Sequence, residues 1–105
     1  MPLAQKKLGV LISVPPGHRN FTHGVCLAET ALAHGVDVYL YCIDEAVQGL
    51  DDPRLPKLKA DGLKLFACAY GAQRRNVPTS EQATFSGLSI LHDVIACADR
   101  FVSFN

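Results

Sequence analysis

Short apolar runs alternate with amphipathic stretches along the first half of the chain. Residues 8–14 and 36–43 are rich in branched and aromatic side chains and are typical of strands that are buried on both faces. Between them, apolar residues recur at helical spacing after Asn20, which is a residue type that caps helices. Gly35 follows this stretch where a helix commonly ends in a left-handed residue. The pattern therefore predicts a strand, a helix and a second strand.

The second half of the chain continues this alternation. Turn residues such as Gly62 and Pro78 separate its segments. The predicted elements are short helices over residues 44–50 and 55–61, a strand over 63–67, a helix over 69–75, a short strand at 84–85, a helix over 87–98 that is apolar around most of its circumference, and a closing strand over 100–104.

Strands that alternate with helices predict an α/β fold with a parallel sheet and helices on both faces. The expected architecture is a single domain over residues 1–105, with three α/β/α layers and about five mostly parallel strands. Because crossovers between parallel strands are right-handed, few topologies remain, and we predict the flavodoxin-like strand order 2-1-3-4-5. Sites on such sheets lie beyond the carboxyl ends of the strands.

Composition narrows the classes of function. Ten basic and ten acidic residues cancel, so the chain has no basic field for direct nucleic-acid binding, and its neutrality favours self-association. No apolar run reaches the roughly 18 residues of a membrane span. The start of the chain carries Lys6 and Lys7 before an apolar stretch, but the stretch is short and is followed by prolines rather than by a cleavage site. We therefore expect a cytoplasmic protein.

Four widely spaced cysteines lie inside apolar segments, without a Cys-x-x-Cys pair. This spacing argues against a zinc ribbon and against a disulfide framework. The four histidines lack the close spacing of metal ligands, and no Gly-x-Gly-x-x-Gly loop is present. We expect neither a metal nor a bound cofactor.

Cys68 is the candidate for chemistry, because it follows the third predicted strand and begins the next helix. Backbone amides at such a position stabilise a thiolate, which is the reactive form of cysteine. If strands 1 and 3 are neighbours, His18, Arg19 and Asn20 lie at the same edge and are candidate neighbours of the thiolate. Cys42 also approaches the carboxyl edge, at the end of strand 2.

The other two cysteines and the nearest arginines are not expected to take part in the chemistry. Cys26 and Cys97 lie in apolar helical segments and are predicted to be buried as small hydrophobic residues. The same interpretation remains open for Cys68. Arg74 and Arg75 follow Cys68 by six and seven residues, about 9 Å or more along a helix, so we do not expect them to be its counter-ions within one subunit.

The segment around Cys68, Leu-Phe-Ala-Cys-Ala-Tyr-Gly-Ala-Gln-Arg-Arg-Asn-Val at residues 65–77, resembles the active-cysteine segment of the DsrE/DsrF/TusD-like sulfur-relay family. Residues 85–88 and 97–104 are similar to the closing helix and strand of that family. The order of the earlier elements fits as well, so the resemblance covers nearly the whole chain. The chain departs from the pattern between residues 77 and 85, where longer relatives carry an extra loop.

The resemblance implies a three-layer DsrE-like sheet and a homo-oligomer, commonly a trimer or hexamer. It also implies that Cys68 carries sulfane sulfur as a persulfide, accepting it from a donor protein and passing it to an acceptor protein. Family settings include tRNA thiolation and sulfur oxidation. Whether this carriage amounts to sulfurtransferase activity stays open at this point.

Two other classes of function remain. The chain is alternatively a non-catalytic subunit or scaffold of a sulfur-relay complex, because the helix over residues 87–98 has more apolar surface than one sheet contact uses. A third interpretation is a small-ligand-binding α/β module that uses the loop over residues 15–21.

Overall fold

The structure is a computed structural model that describes residues 5–105. Residues 1–4, which belong to the predicted domain and to the predicted lysine-containing start, lie outside the described residues. The elements fall close to their predicted positions. They are β1 (Lys7–Ile12), α1 (Arg19–Ala33), β2 (Asp37–Cys42), a 3-10 helix (Asp44–Gly49), α2 (Arg54–Ala60), β3 (Lys64–Cys68), α3 (Ala69–Arg74), β4 (Thr84–Ser86), α4 (Leu88–Cys97) and β5 (Arg100–Phe104).

The strands form a five-stranded sheet within the described residues, and each recorded pairing is parallel. The predicted α/β class is confirmed, but the predicted strand order is wrong, because the observed order is β4-β3-β2-β1-β5. The reason lies in β2, where Leu40, Tyr41 and Cys42 are all fully buried. Full burial on both faces suits a strand in the interior of the sheet, and β2 lies between β1 and β3.

Helices cover both faces of the sheet. On one face, a Cβ added at Gly24 of α1 would touch Ile12 of β1, and α2 lies beside α1. On the other face, a Cβ added at Gly9 of β1 would lie 3.1 Å from Val94 of α4. The layers are therefore α/β/α, as predicted.

Helix α1 buries an apolar stripe that includes Phe21, Val25 and Ala28. Its cap lies two residues before the predicted Asn20, because His18 is the N-cap and its Nδ1 accepts a hydrogen bond from the backbone amide of Asn20 at 3.0 Å. Gly35 follows the helix with a φ of +80°, the left-handed conformation that was predicted there.

The two faces of β2 and β3 carry different side chains, because successive residues of a strand point to opposite sides. Cys42 and Ala67 are register partners and share the α1 face with Ile12. Tyr41 and its partner Phe66 lie on the opposite face, where their rings stack with centroids 6.1 Å apart. Cys68 follows Phe66 by two residues and so continues this second face.

Helix α4 is short and only partly covered. Of its residues only Val94 is buried, whereas Leu88 is 60% exposed and Ile95 is 47% exposed. Across residues 5–105, every helix falls short of the length and apolar character that a membrane crossing requires.

Candidate active site at Cys68

Cys68 is both the last residue of β3 and the N-cap of α3, which confirms its predicted position at the carboxyl rim of the sheet. Its Sγ accepts a hydrogen bond from the Gly71 amide at 3.4 Å. Cys68 is buried, with 9% of the residue exposed, and it lies outside the main apolar cluster, which includes Cys42. The sulfur is therefore at the border of the protein interior rather than in its centre.

The hydroxyl of Tyr41 and the end of β4 lie next to Cys68. Ser86 of β4 is the register partner of Cys68. The Tyr41 hydroxyl lies 2.9 Å from the carbonyl oxygen of Gly87 and 3.2 Å from both the carbonyl and the hydroxyl oxygen of Ser86. Burial raises the pKa of Tyr41, the hydrogen bond with Ser86 opposes this shift, and the nearby Cys68 adds to it. The carboxyl ends of β2, β3 and β4 thus meet around one thiol.

The two arginines that follow Cys68 have partners of their own. Arg75 donates to Glu45 at 2.7 Å and to the Gly71 carbonyl at 3.2 Å, and Arg74 donates to the hydroxyl of the exposed Tyr70. A Cβ added at Gly71 would lie 3.6 Å from the Cys68 Cβ and 3.7 Å from Arg75 Nη1. The Arg75 guanidinium is therefore engaged by Glu45 and by the Gly71 carbonyl, one turn before it on α3.

The proposed neighbours from the first loop lie elsewhere, because the premise that placed them is wrong. Strand β2 separates β1 from β3, so the end of β1 is about 10 Å across the sheet from the end of β3. His18 and Arg19 are exposed at the start of α1, and the side-chain Nδ2 of Asn20 donates to the carbonyl of Asn105 at 2.7 Å. This loop faces the end of β5.

Cys42 is held away from solvent and from Cys68. It lies on the α1 face of the sheet, opposite the face of Cys68, and its side chain is fully buried. Burial raises the pKa of the Cys42 thiol from 9.0 to about 12. These observations describe a core residue, and the geometry gives no support to a role for Cys42 at the site.

The buried Cys42 thiol predicts a loss of stability in alkaline solution. Above pH 9.0 the unfolded chain loses the Cys42 proton, whereas the folded chain keeps it up to about pH 12. The free energy of unfolding is therefore expected to fall as pH rises through this window, by up to about 1.4 kcal/mol per pH unit. Urea titrations from about pH 8 to about pH 10.5 measure the slope of the free energy of unfolding against pH.

A matched pair of variants assigns that slope to its source. The Cys42→Ala variant is expected to show a shallower pH dependence, although its stability at neutral pH is lower. The Cys26→Ala variant is the control, because Cys26 is exposed in the folded protein. Equal slopes in the two variants would contradict the assignment.

Cys26 and Cys97 are exposed, so the prediction that both are buried is wrong. Cys26 lies next to Val25, one residue off the buried stripe of α1, and successive helix residues point about 100° apart. Cys97 ends α4, which buries only Val94. An apolar sequence neighbourhood therefore did not decide burial at either position.

Two residues of the site were missed by sequence reasoning. Tyr41 was included in a predicted strand, and Ser86 lay just beyond a predicted short strand. Strand alternation places Tyr41 on the face opposite Cys42, which was a usable signal. The contact between Tyr41 and Ser86 joins residues 45 positions apart and depends on the strand order. In the described part of the chain, no group of three or more His, Cys, Asp or Glu side chains is placed to hold a metal ion.

The model of the DsrE/DsrF-like family matches residues 6–104, almost the full length. The chain belongs to the DsrE/DsrF-like family. The fold of this DsrE/DsrF-like protein is similar to that of a crystal structure of the YchN protein from E. coli, with a TM-score of 0.83 and 19% sequence identity over 95% of this chain and 99% of that one. No individual curated protein sequence matches the chain. The expected family is thus confirmed, and the structural likeness confirms the fold.

Proposed function

We propose that this DsrE/DsrF-like protein is a small cytoplasmic sulfur carrier that holds sulfane sulfur as a persulfide on Cys68. The observation that carries the proposal is the position of Cys68, which ends β3 at the carboxyl rim. Its sulfur accepts a hydrogen bond from the Gly71 amide. Membership of a family associated with sulfur relay supports the same conclusion. The partners are a sulfur-donor protein and a sulfur-acceptor protein.

The proposed reaction consists of two thiol exchanges. The Cys68 thiolate attacks the outer sulfur of a donor persulfide, R–S–SH, along the line of its S–S bond. A bond forms between Sγ and the outer sulfur, the donor S–S bond breaks, and its electron pair leaves on R–S⁻. An acceptor thiolate then attacks the outer sulfur of Cys68–S–SH in the same way and releases the Cys68 thiolate. Sulfane sulfur moves without net oxidation or reduction.

The surroundings of Cys68 suit such an exchange. The rate of exchange depends on the thiolate fraction and on access to the sulfur. The Gly71 amide supplies a hydrogen bond to the sulfur, and Cys68, although buried, lies at the carboxyl rim of the sheet and outside the main apolar cluster. Cys42 suits exchange less well, because it is fully buried and burial raises the pKa of its thiol.

Persulfide loading tests this proposal directly. We expect a small-molecule persulfide donor to add the mass of one sulfur atom to the native protein, and peptide mapping to place that atom on Cys68. Loading confined to the exposed Cys26 and Cys97 would contradict the proposal. That result would instead favour the alternative in which the chain is a non-catalytic subunit and Cys68 only fills space.

We further propose that the protein assembles with copies of itself into a trimer or hexamer through α4. Leu88 and Ile95 are exposed large apolar side chains on this helix. Beside them, a groove between α4 and the sheet is lined by Tyr39, Phe66 and Ile90. The formal net charge of zero adds no repulsion between copies.

An aspartate on this surface is expected to break the assembly. Light scattering of the wild-type protein should give a multiple of the 11.4 kDa chain mass, and Ile95→Asp should give the monomer. His23→Asp is the control, because His23 is exposed on α1 in the opposite layer. A wild-type monomer at micromolar concentration would contradict the proposed assembly, as would an unchanged mass for Ile95→Asp.

A further inference from the structure

Tyr41 places a polar group at the buried side of the Cys68 site. The residue is fully buried, and its ring stacks on Phe66 in the middle of the sheet. Its hydroxyl reaches past β3 to the end of β4, where it contacts Ser86 and the Gly87 carbonyl. The Tyr41 hydroxyl therefore links β2 to the end of β4 across β3, at the rim that carries the thiol.

The contacts of this hydroxyl leave a proton that can be redirected. A tyrosine hydroxyl has one proton to donate and lone pairs that accept. The carbonyl of Gly87, at 2.9 Å, is the shortest contact and accepts a hydrogen bond from the Tyr41 hydroxyl, whose oxygen can in turn accept one from the Ser86 hydroxyl. Either oxygen of the Tyr41–Ser86 pair can serve as the donor. The pair can thus reverse by rotation of two O–H bonds, without movement of the backbone.

Ser86 is the side chain that brings this pair to Cys68. The two residues are register partners on neighbouring parallel strands, which lie about 4.8 Å apart, and their side chains share one face of the sheet. The inner sulfur, Sγ, already accepts from the Gly71 amide. A persulfide places a second sulfur about 2.05 Å beyond the first. Ser86 is half-buried, is the register partner of Cys68 and contacts the Tyr41 hydroxyl, so its own hydroxyl is the nearest established donor on this face for that second sulfur.

We propose that Tyr41 is a positioning residue that acts through Ser86, whose hydroxyl donates a hydrogen bond to the outer sulfur of the Cys68 persulfide anion. In the loaded state the Ser86 proton turns toward the sulfur, and the Tyr41 proton turns from the Gly87 carbonyl to Ser86 Oγ. Both protons stay on their own oxygens, and no further bond forms or breaks. The chain Tyr41–Ser86–sulfur strengthens each of its hydrogen bonds, because each donor is polarised by the next. This inference rests on the proposed persulfide function.

The chain offers a close control for the loss of a tyrosine hydroxyl. Tyr39 lies on the same face of β2, and its ring also stacks on Phe66, with centroids 6.4 Å apart. Its hydroxyl donates to Asp37, near the opposite end of the strand. Tyr39→Phe therefore removes a similar group from the same face without touching the Cys68 site.

The experiment measures the equilibrium constant for loading Cys68 from a small-molecule persulfide donor. Tyr41→Phe and Ser86→Ala are each expected to lower this constant about tenfold, the effect of one hydrogen bond to a charged group. The double variant should lose no more than the stronger single variant, because the two groups act in series. Ser86→Thr keeps the hydroxyl and should restore wild-type loading, and Tyr39→Phe should load as the wild type does.

The outcomes separate this inference from the function on which it rests. If the wild-type protein does not load at Cys68, the proposed function and this inference both fail. If the wild type loads and Tyr41→Phe matches Tyr39→Phe, or Ser86→Ala loads as well as Ser86→Thr, only the inference fails. Should Tyr41→Phe not fold, the comparison of Ser86→Ala with Ser86→Thr at the short edge strand decides the outcome.

Discussion

Replacement of Cys68 by serine is expected to abolish sulfur transfer and to leave the fold intact. An alcohol does not take up sulfane sulfur, so the exchange loses its nucleophile. Serine is nearly the same size as cysteine and is a preferred helix N-cap, so it can accept the Gly71 amide that Cys68 accepts in the structure. The loss of transfer should therefore come without a loss of stability.

The measurement is the rate at which the protein moves sulfur from a persulfide donor to an acceptor thiol. For Cys68→Ser this rate is expected to equal the rate without protein, while its free energy of unfolding stays within about 1 kcal/mol of the wild type. The control is Cys26→Ser/Cys97→Ser, which removes the two exposed thiols and should keep wild-type transfer. Transfer that survives Cys68→Ser and disappears in the control would show that surface thiols carry the sulfur.

Replacement of Phe21 by alanine is expected to produce the largest loss of stability. Phe21 is fully buried and packs against Gly49 so closely that a Cβ added there would collide with its ring. Because Gly49 has no side chain that could move into the space, the cavity left by alanine cannot fill readily. Such Phe→Ala changes cost about 3–5 kcal/mol, which is a large part of the roughly 5–15 kcal/mol total stability of a domain.

Urea denaturation of Phe21→Ala measures this loss as a lower midpoint. Tyr70→Ala is the control, because Tyr70 is 65% exposed and its removal should change the free energy of unfolding by less than about 1 kcal/mol. Similar losses in the two variants would mean that the space between α1 and the 3-10 helix is not tightly packed.

The elements of this fold could be predicted from local patterns, whereas their arrangement could not. Helix spacing, strand runs and the turn at Gly35 gave segments close to the observed ones. The order of strands depends on which crossover helix packs beside which, and local patterns constrain that choice only weakly. The burial of β2 on both faces was visible in residues 37–42, and it favours an interior position for that strand.

The residues of the site also fall into those that local patterns predict and those that depend on the strand order. The position of Cys68 follows from the end of one strand and the start of the next helix, both of which are local features. Its neighbours depend on strand order, so the wrong order suggested the loop that contains His18 instead of Tyr41 and Ser86. The exposure of Cys97 could not be predicted from the sequence either, because it depends on how little of α4 the sheet covers.

The proposed carrier is tested most directly by discharge of a loaded protein. The Cys26→Ser/Cys97→Ser variant is loaded with isotopically labelled sulfane sulfur from a persulfide donor. The donor is then removed, and the loaded protein is mixed with an excess of a small acceptor thiol. The account predicts that the label leaves Cys68 and appears on the acceptor, one atom per chain. A label that never enters at Cys68, or that stays there while the acceptor gains none, would contradict it.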